Sequence, residues 1–296
     1  MKTNFNRRSA IKGILASTAA LSIPLELSAF GLPKEKTTTI SMLKGNINHS
    51  VSRWCFNSLD LETLCIEAKK MGITGIDLVG PEAWPTLKKY NLISTMCNGA
   101  ELNLVDGFND IQFHEKLIQR YTEMIPRVAE AGYKNLICFS GNRRGKTDEE
   151  GWNNCVIGLQ KLIPLAEKHN ITLVMELLNS KIDHKDYQCN KTSWGVELVK
   201  RINSDHFKLL YDIYHMQIDE GDVIRTIKDN IQHIAHFHTA GVPGRNEIDE
   251  TQELNYPAIM RAIAGTGFKG FVGQEFVPKY TDKLASLQQA ITICDI

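Results

Sequence analysis

The stretch that decides the fold reads FKLLYDIYHMQ over residues 207–217, HIAHFHTAGVPGR over 233–245 and GFVGQEFV over 270–277. Each contains a strand-length segment, mostly apolar though His236 interrupts the second, and carries a polar side chain near its end: Asp212, His238 and Glu275. Upstream, TLVMELLNS at 172–180 repeats the pattern with Glu176. Uninterrupted apolar runs, rather than alternating ones, are what parallel strands need when helices cover them.

Working outward, strands are predicted at Ile47–Phe56, Gly75–Val79, Ile93–Asn98, Asn135–Ser140, Thr172–Leu177, Lys208–Asp212, Ile234–Thr239 and Gly270–Phe276. Helical spacing fills the gaps. Asp60 can cap a helix bearing Leu61, Leu64, Cys65, Ala68 and Met71, which Gly72 ends. Leu117 to Ala129 forms one stripe, and Trp152 to Ile163 a second. A short segment with Trp84 and Leu87, and helices around Val196–Ile202, Val223–Ile227, Ile259–Ile263 and Leu284–Ile291, complete the series. Eight strand–helix units in one chain predict a single (β/α)8 barrel. An open doubly wound sheet usually has a Gly-rich first turn, and no GxGxxG occurs.

Lys and Arg number 34, as do Asp and Glu, so the formal charge is zero. That excludes a broad basic face for nucleic acid. Residues 1–31 read as an export signal, with NRRSAIKGIL at 6–15, an apolar run to about Pro24 and small residues at Ser28-Ala29. The Arg7-Arg8 pair points to the twin-arginine route and a periplasmic location. The apolar run is too short to stay in a bilayer, so no stable membrane insertion is expected after processing. The barrel domain is then expected over residues 40–296. Seven cysteines, an odd number without CxxC spacing, read as small buried hydrophobes.

In a (β/α)8 barrel the reactive groups sit where strands end. A carboxylate inside an apolar strand must be paired, protonated or bound to a cation. One such acid is as well explained by a salt bridge. Four consecutive strands ending in Glu176, Asp212, His238 and Glu275, with no Arg beside the acids on those strands, point to one shared cation. Three carboxylates and one imidazole favour Mn²⁺ or Mg²⁺, with Co²⁺ or Zn²⁺ also accommodated. His236 alternates with His238 on the same strand face and reads as a packed core histidine or a support for it. His215 and Arg245 follow the strand ends and can hydrogen-bond a substrate; either can equally be a plain loop residue. Trp54, Phe56 and Trp84 can wall a pocket, although packing alone explains them as well.

The runs LLYDIYHMQ, HFHTAGVPGRNE, LNYPAIM and GFVGQEF closely resemble the hydroxypyruvate isomerase group of the xylose-isomerase-like barrel superfamily. SVSRWCF at 50–56 and GIDLVGP at 75–81 resemble that group's first two strands, so the likeness runs from Asn46 to the C-terminus. The resemblance implies a divalent ion held by Glu176, Asp212, His238 and Glu275. It also implies that Glu176 and Glu275 transfer protons on either side of a small hydroxy-carbonyl substrate, which His215 and Arg245 touch. The expected reaction is hydroxypyruvate to 2-hydroxy-3-oxopropanoate. A ketose 3-epimerase or an inosose-dehydratase-like enzyme would use the same ion, and an exported sugar-binding barrel would bind without turnover. Residues 177–190, LLNSKIDHKDYQCN, depart from the group's pattern, as does export. A homo-oligomer is left open.

Overall fold

Eight short apolar segments pair edge to edge and close on themselves. The computed structural model describes residues 43–296; the expected signal at 1–31 lies outside them, as do residues 40–42 of the expected domain. The strands are β1 (Asn48–Ser52), β2 (Gly75–Val79), β3 (Ile93–Cys97), β4 (Asn135–Cys138), β5 (Thr172–Glu176), β6 (Phe207–Asp212), β7 (Ile234–Thr239) and β8 (Phe271–Gln274). They form a closed parallel barrel in chain order, and β1 meets β8 through Asn48↔Phe271 to Val51↔Gln274.

Helices α1 (Leu61–Lys70), α2 (Trp84–Lys89), α3 (His114–Glu130), α4 (Asp148–Leu159) and α5 (Ile163–His169) follow the first four strands. Helices α6 (Thr192–Ile202), α7 (Ile213–Asp219), α8 (Val223–Asn230), α9 (Tyr256–Gly265) and α10 (Lys283–Cys294) follow the last four. The Asp60 carboxylate caps α1 by accepting the Thr63 N–H at 2.8 Å, and Gly72 leaves that helix at φ +82°. All seven cysteines are buried and unpaired, as small hydrophobes. No described helix is long and apolar enough to cross a membrane.

Three expectations change. The first strand ends at Ser52, because Arg53–Phe56 turn into a single 3₁₀ turn. The stripe expected from Trp152 to Ile163 breaks into α4 and α5, where Pro164 has no N–H to continue a helix and suits a new first turn. Helix α7, absent from the sequence reading, starts directly at the end of β6, with the Asp212 carboxylate accepting the His215 N–H at 3.2 Å.

Candidate metal centre and active site

Four strand ends deliver four side chains to one mouth of the barrel. Glu176 closes β5, Asp212 closes β6, His238 is the last residue but one of β7, and Glu275 follows β8 directly. Parallel register sets Asp212 beside His238, and His238 beside Gly273. All four are buried. One ligand atom from each lies within 4.8 Å of the others. His238 Nδ1 sits 3.0 Å from Glu275 Oε2 and 3.3 Å from Glu176 Oε1.

The far side of the same imidazole faces an acid that sequence reasoning missed. His238 Nε2 lies 3.3 Å from Asp77 Oδ2, which also meets His236 Nε2 at 2.9 Å and accepts the Ser50 hydroxyl at 3.0 Å. All these side chains are sealed from water. Burial alone would push the Asp77 carboxyl up, but His236 and His238 outweigh it and hold the acid at about 2. Gly273 makes the approach possible, since a Cβ there would strike Asp77 Oδ2. The core-or-support reading of His236 resolves into both: it is fully buried, and it helps anchor the acid that faces His238.

Arg245 stands at φ 60° in the loop after β7 and reaches back over the site. Its Nη2 donates to Asp212 Oδ2 at 3.2 Å and to Glu275 Oε2. Its guanidinium lies 5.4 Å from the Trp54 ring centroid and 5.2 Å from that of Tyr214. Trp54, in the turn after β1, donates its indole N–H to Glu275 Oε1 at 2.7 Å, and Ser52 donates to the same oxygen at 3.2 Å. His215 Nδ1 is 2.6 Å from the Asn179 amide nitrogen, whose oxygen already accepts the Ile182 and Asp183 N–H groups. The other ring nitrogen, Nε2, lies 2.7 Å from Arg245 Nη1, so each nitrogen of the buried imidazole faces a donor, and a neutral ring can accept from only one of them.

Electrostatics show why the cluster is unusual. Burial pushes Asp212 up to about 7 against the pull of Arg245, with Glu275 and Glu176 adding repulsion. Glu176 is raised too, by burial first and then by the Glu275 charge, although His238 opposes this. At Glu275 burial is outweighed by His238 and Arg245, and its carboxyl lies well below the usual range. Three acids in one dry pocket cannot all ionise beside a single arginine and imidazole unless more positive charge is supplied.

A cavity of 350 Å³ opens beside these groups, lined by Glu176, Glu275, Arg245, Trp54, His184 and apolar side chains. His184, from the 177–190 loop, was not foreseen; its ring packs 5.2 Å from that of His215. Its loop position gives no periodic signal. Asp77, by contrast, is an acid inside an apolar strand and shares the signal that marked Glu176 and Asp212. Two expected wall residues lie elsewhere: Trp84 is buried and donates to Val79 O at 3.1 Å, and Phe56 packs edge-on against Phe276. A larger cavity of 460 Å³, beside α6 and α8, contains none of the strand-end groups.

Residues 66–292 match the model of the xylose isomerase-like TIM barrel family. The chain belongs to that family. Over 114 residues it is 35% identical to the 2-oxo-tetronate isomerase of Cupriavidus necator, covering 38% of this chain and 43% of that one. Over 151 residues it is 29% identical to the hydroxypyruvate isomerase of Escherichia coli K12, covering 51% and 58%. The matched stretches therefore span about half the length of these relatives. The crystal structure of an AP endonuclease, family 2, from Brucella melitensis superposes with a TM-score of 0.71 at 25% identity, over 81% of this chain and 96% of that one. That of a 3-keto-D-glucoside 4-epimerase from E. coli gives 0.69 at 18% identity, over 83% and 98%, a likeness of fold alone.

Proposed function

We propose that this chain is a divalent-metal-dependent isomerase that moves a proton between neighbouring carbons of a hydroxy-carbonyl compound. The reaction type is that of hydroxypyruvate to 2-hydroxy-3-oxopropanoate. The observation that carries the reading is the convergence of Glu176, Asp212, His238 and Glu275, all buried, on one point. The donor set fits a cation: His238 turns a ring nitrogen toward two carboxylates, and the three acids exceed the positive charge around them. Mn²⁺ or Mg²⁺ suits three oxygens and one nitrogen. Bound there, the ion supplies a Lewis acid for the substrate carbonyl.

The protein's own groups do the rest. Glu176 and Glu275 border the cavity. One takes the proton from the carbon bearing the hydroxyl and the other returns a proton to the former carbonyl carbon, while the hydroxyl proton passes to the former carbonyl oxygen; proton exchange with solvent then resets the two carboxyls. A bound cation would lower the basicity of Glu176, and burial, which raises its pKa, offsets part of that loss. Ser52 and Trp54 hold one oxygen of Glu275 in place. Arg245 lines the cavity and is placed to hold a substrate oxygen, and the buried His215 contacts its guanidinium from behind. If a proton returns instead to the opposite face of the same carbon, the outcome is epimerisation with the same residues.

The test is deuterium wash-in from heavy water into hydroxypyruvate, 2-oxo-tetronate and free ketoses, using purified Mn²⁺-loaded protein. Glu176→Gln and Glu275→Gln should each lower exchange by a factor of about 10² to 10⁴, the usual worth of a positioned acid or base, while thermal unfolding stays cooperative. Exchange at the wild-type rate in either variant refutes its role. Residues 1–31 are proposed as an export signal, to be tested by fractionating cells that express the full chain.

A further inference from the structure

The cavity beside the ion-binding cluster does not end there. A second cavity of 300 Å³ adjoins it, and Trp54, Leu78, Leu104 and Phe139 line both. At about 30 Å³ per heavy atom, the share of a water molecule in the liquid, a seven-atom keto acid fills about 200 Å³, whereas the two cavities hold a ligand of roughly twenty heavy atoms. The shared walls are apolar and fixed. Trp54 is 41% exposed, yet its indole is tied to Glu275 and stacked under Arg245. Leu78 sits at φ 56°, in the left-handed region, at a register shift in β2. The shift lets Asp77 turn to His238 while its neighbour Leu78 faces the cavities. Backbone held this way in a branched, non-glycine residue is characteristic of ligand clamps.

Charge narrows the ligand further. Among the described residues lining the two cavities, Arg245 is the only Lys or Arg, and Asp212 and Glu275 already hold it. Burial and Arg245 lower the pKa of His184, which disfavours its charged form. The far cavity instead offers the Glu101 carboxylate and the Asn98 amide. An acidic group there would meet an acid and apolar walls, whereas a hydroxyl finds an acceptor in Glu101 and either partner in Asn98. Apolar platforms with a few polar groups at the edge match a ring that has one hydrocarbon face and hydroxyls around its rim.

We infer that the substrate is a neutral two-ring compound: a hydroxy-ketone unit at the Glu176–Glu275 end, joined to a second hydroxylated ring lying between Trp54, Leu78, Leu104 and Phe139. This rests on the proton-transfer reading for the first unit only.

The experiment measures binding separately from turnover. Calorimetric titration of Mn²⁺-loaded protein compares D-fructose and hydroxypyruvate with three keto-disaccharides that carry a fructose unit: isomaltulose, turanose and lactulose. At least one disaccharide should bind ten-fold or more tightly than both small compounds. Asn98→Ala, and Leu102→Arg, which places a charged chain in the far cavity, should each remove most of that advantage and leave D-fructose binding less affected. A smaller advantage, or one that survives both substitutions in folded protein, overturns the inference. Absence of deuterium exchange with every compound would instead count against the proton-transfer reading, and the binding ratio would still decide the two-ring one.

Discussion

Asp77 offers the sharpest handle on the ion site, because it touches His238 and no part of the cavity. Its Oδ2 faces His238 Nε2 at 3.3 Å, an ion-pair contact outside hydrogen-bond geometry, and that nitrogen is fully buried with no hydrogen-bond partner. A carboxylate there fixes the ring proton on Nε2 and leaves the Nδ1 lone pair for a cation between Glu176 and Glu275. Removing it frees the ring to turn or to move its proton to Nδ1, which is then useless as a ligand. Supporting acids of this kind are typically worth about 10- to 100-fold in metal affinity, or about 1.4 to 2.7 kcal/mol. Asp77→Ala should reach the upper end, since it also strands the His236 and Ser50 donors. Asp77→Asn keeps one acceptor oxygen but loses the charge, and belongs at the lower end. The assay is Mn²⁺ affinity by chelator competition, read beside thermal unfolding so that loss of fold is seen. In wild-type protein, ¹⁵N NMR of labelled histidine should place the His238 proton on Nε2. Wild-type affinity in folded Asp77→Ala, or a proton on Nδ1 in the wild type, refutes the argument.

Two further outcomes rest on separate observations. Gly273→Ala drives a methyl into Asp77 Oδ2 and to within 3.0 Å of His238 Cδ2, and should cost about 1 to 3 kcal/mol of stability and weaken metal binding. Gly265→Ala, whose added methyl meets nothing within 4 Å, is the control, neutral to stabilising in urea unfolding. His49 is buried and its pKa falls to about 4, by desolvation first and against the pull of Asp295. Between about pH 4 and its ordinary 6.5, the unfolded chain binds a proton that the folded one refuses. Stability from this group is therefore complete above 6.5 and lost as pH drops toward 4, by an amount on the order of 3 kcal/mol. The gap in unfolding free energy between wild type and His49→Asn should narrow or reverse from pH 7.5 to 4.5; an unchanged gap refutes the assignment.

How much of this was readable in sequence depends on how local the cause is. Strand runs and the Asp60 cap are local, and they appear where expected except that β1 stops at Ser52 and not Phe56. The break at Pro164 was equally local, but the apolar stripe ran through it and masked it. Helix α7 escaped because Asp212 does two things at once, ending a strand and capping a helix, and the strand signal dominates. Glu176, Asp212, His238 and Glu275 stood out because acids in apolar strands are costly without a partner. Asp77 carries the same mark in GIDLV, but its partners lie 159 and 161 positions away, a pairing that only barrel closure creates. Arg245 shows the converse. Its residue type was legible, but its engagement with Asp212 and Glu275 was not, because loop geometry sets where its long side chain lands.

The site divides along the barrel's own sequence order. The four clustered side chains come from the ends of β5, β6, β7 and β8, whereas the shared apolar walls follow or lie within β1 (Trp54), β2 (Leu78), β3 (Leu104) and β4 (Phe139). The four strand-end groups and the shared apolar walls thus occupy opposite arcs of one ring, and the first arc touches the second through Trp54 and Ser52 at Glu275, Trp54 at Arg245 and Asp77 at His238. Each strand-end loop is anchored on a rigid strand, so a wall side chain can change size without shifting an ion ligand by the few tenths of an ångström that coordination tolerates. In this chain the first four loops present leucine, phenylalanine and tryptophan and offer no uncommitted Lys or Arg among the described lining residues. If the two-ring reading holds, the N-terminal half supplies the apolar walls for the second ring, while Leu178, His184 and Arg245 face the same cavity from the C-terminal half.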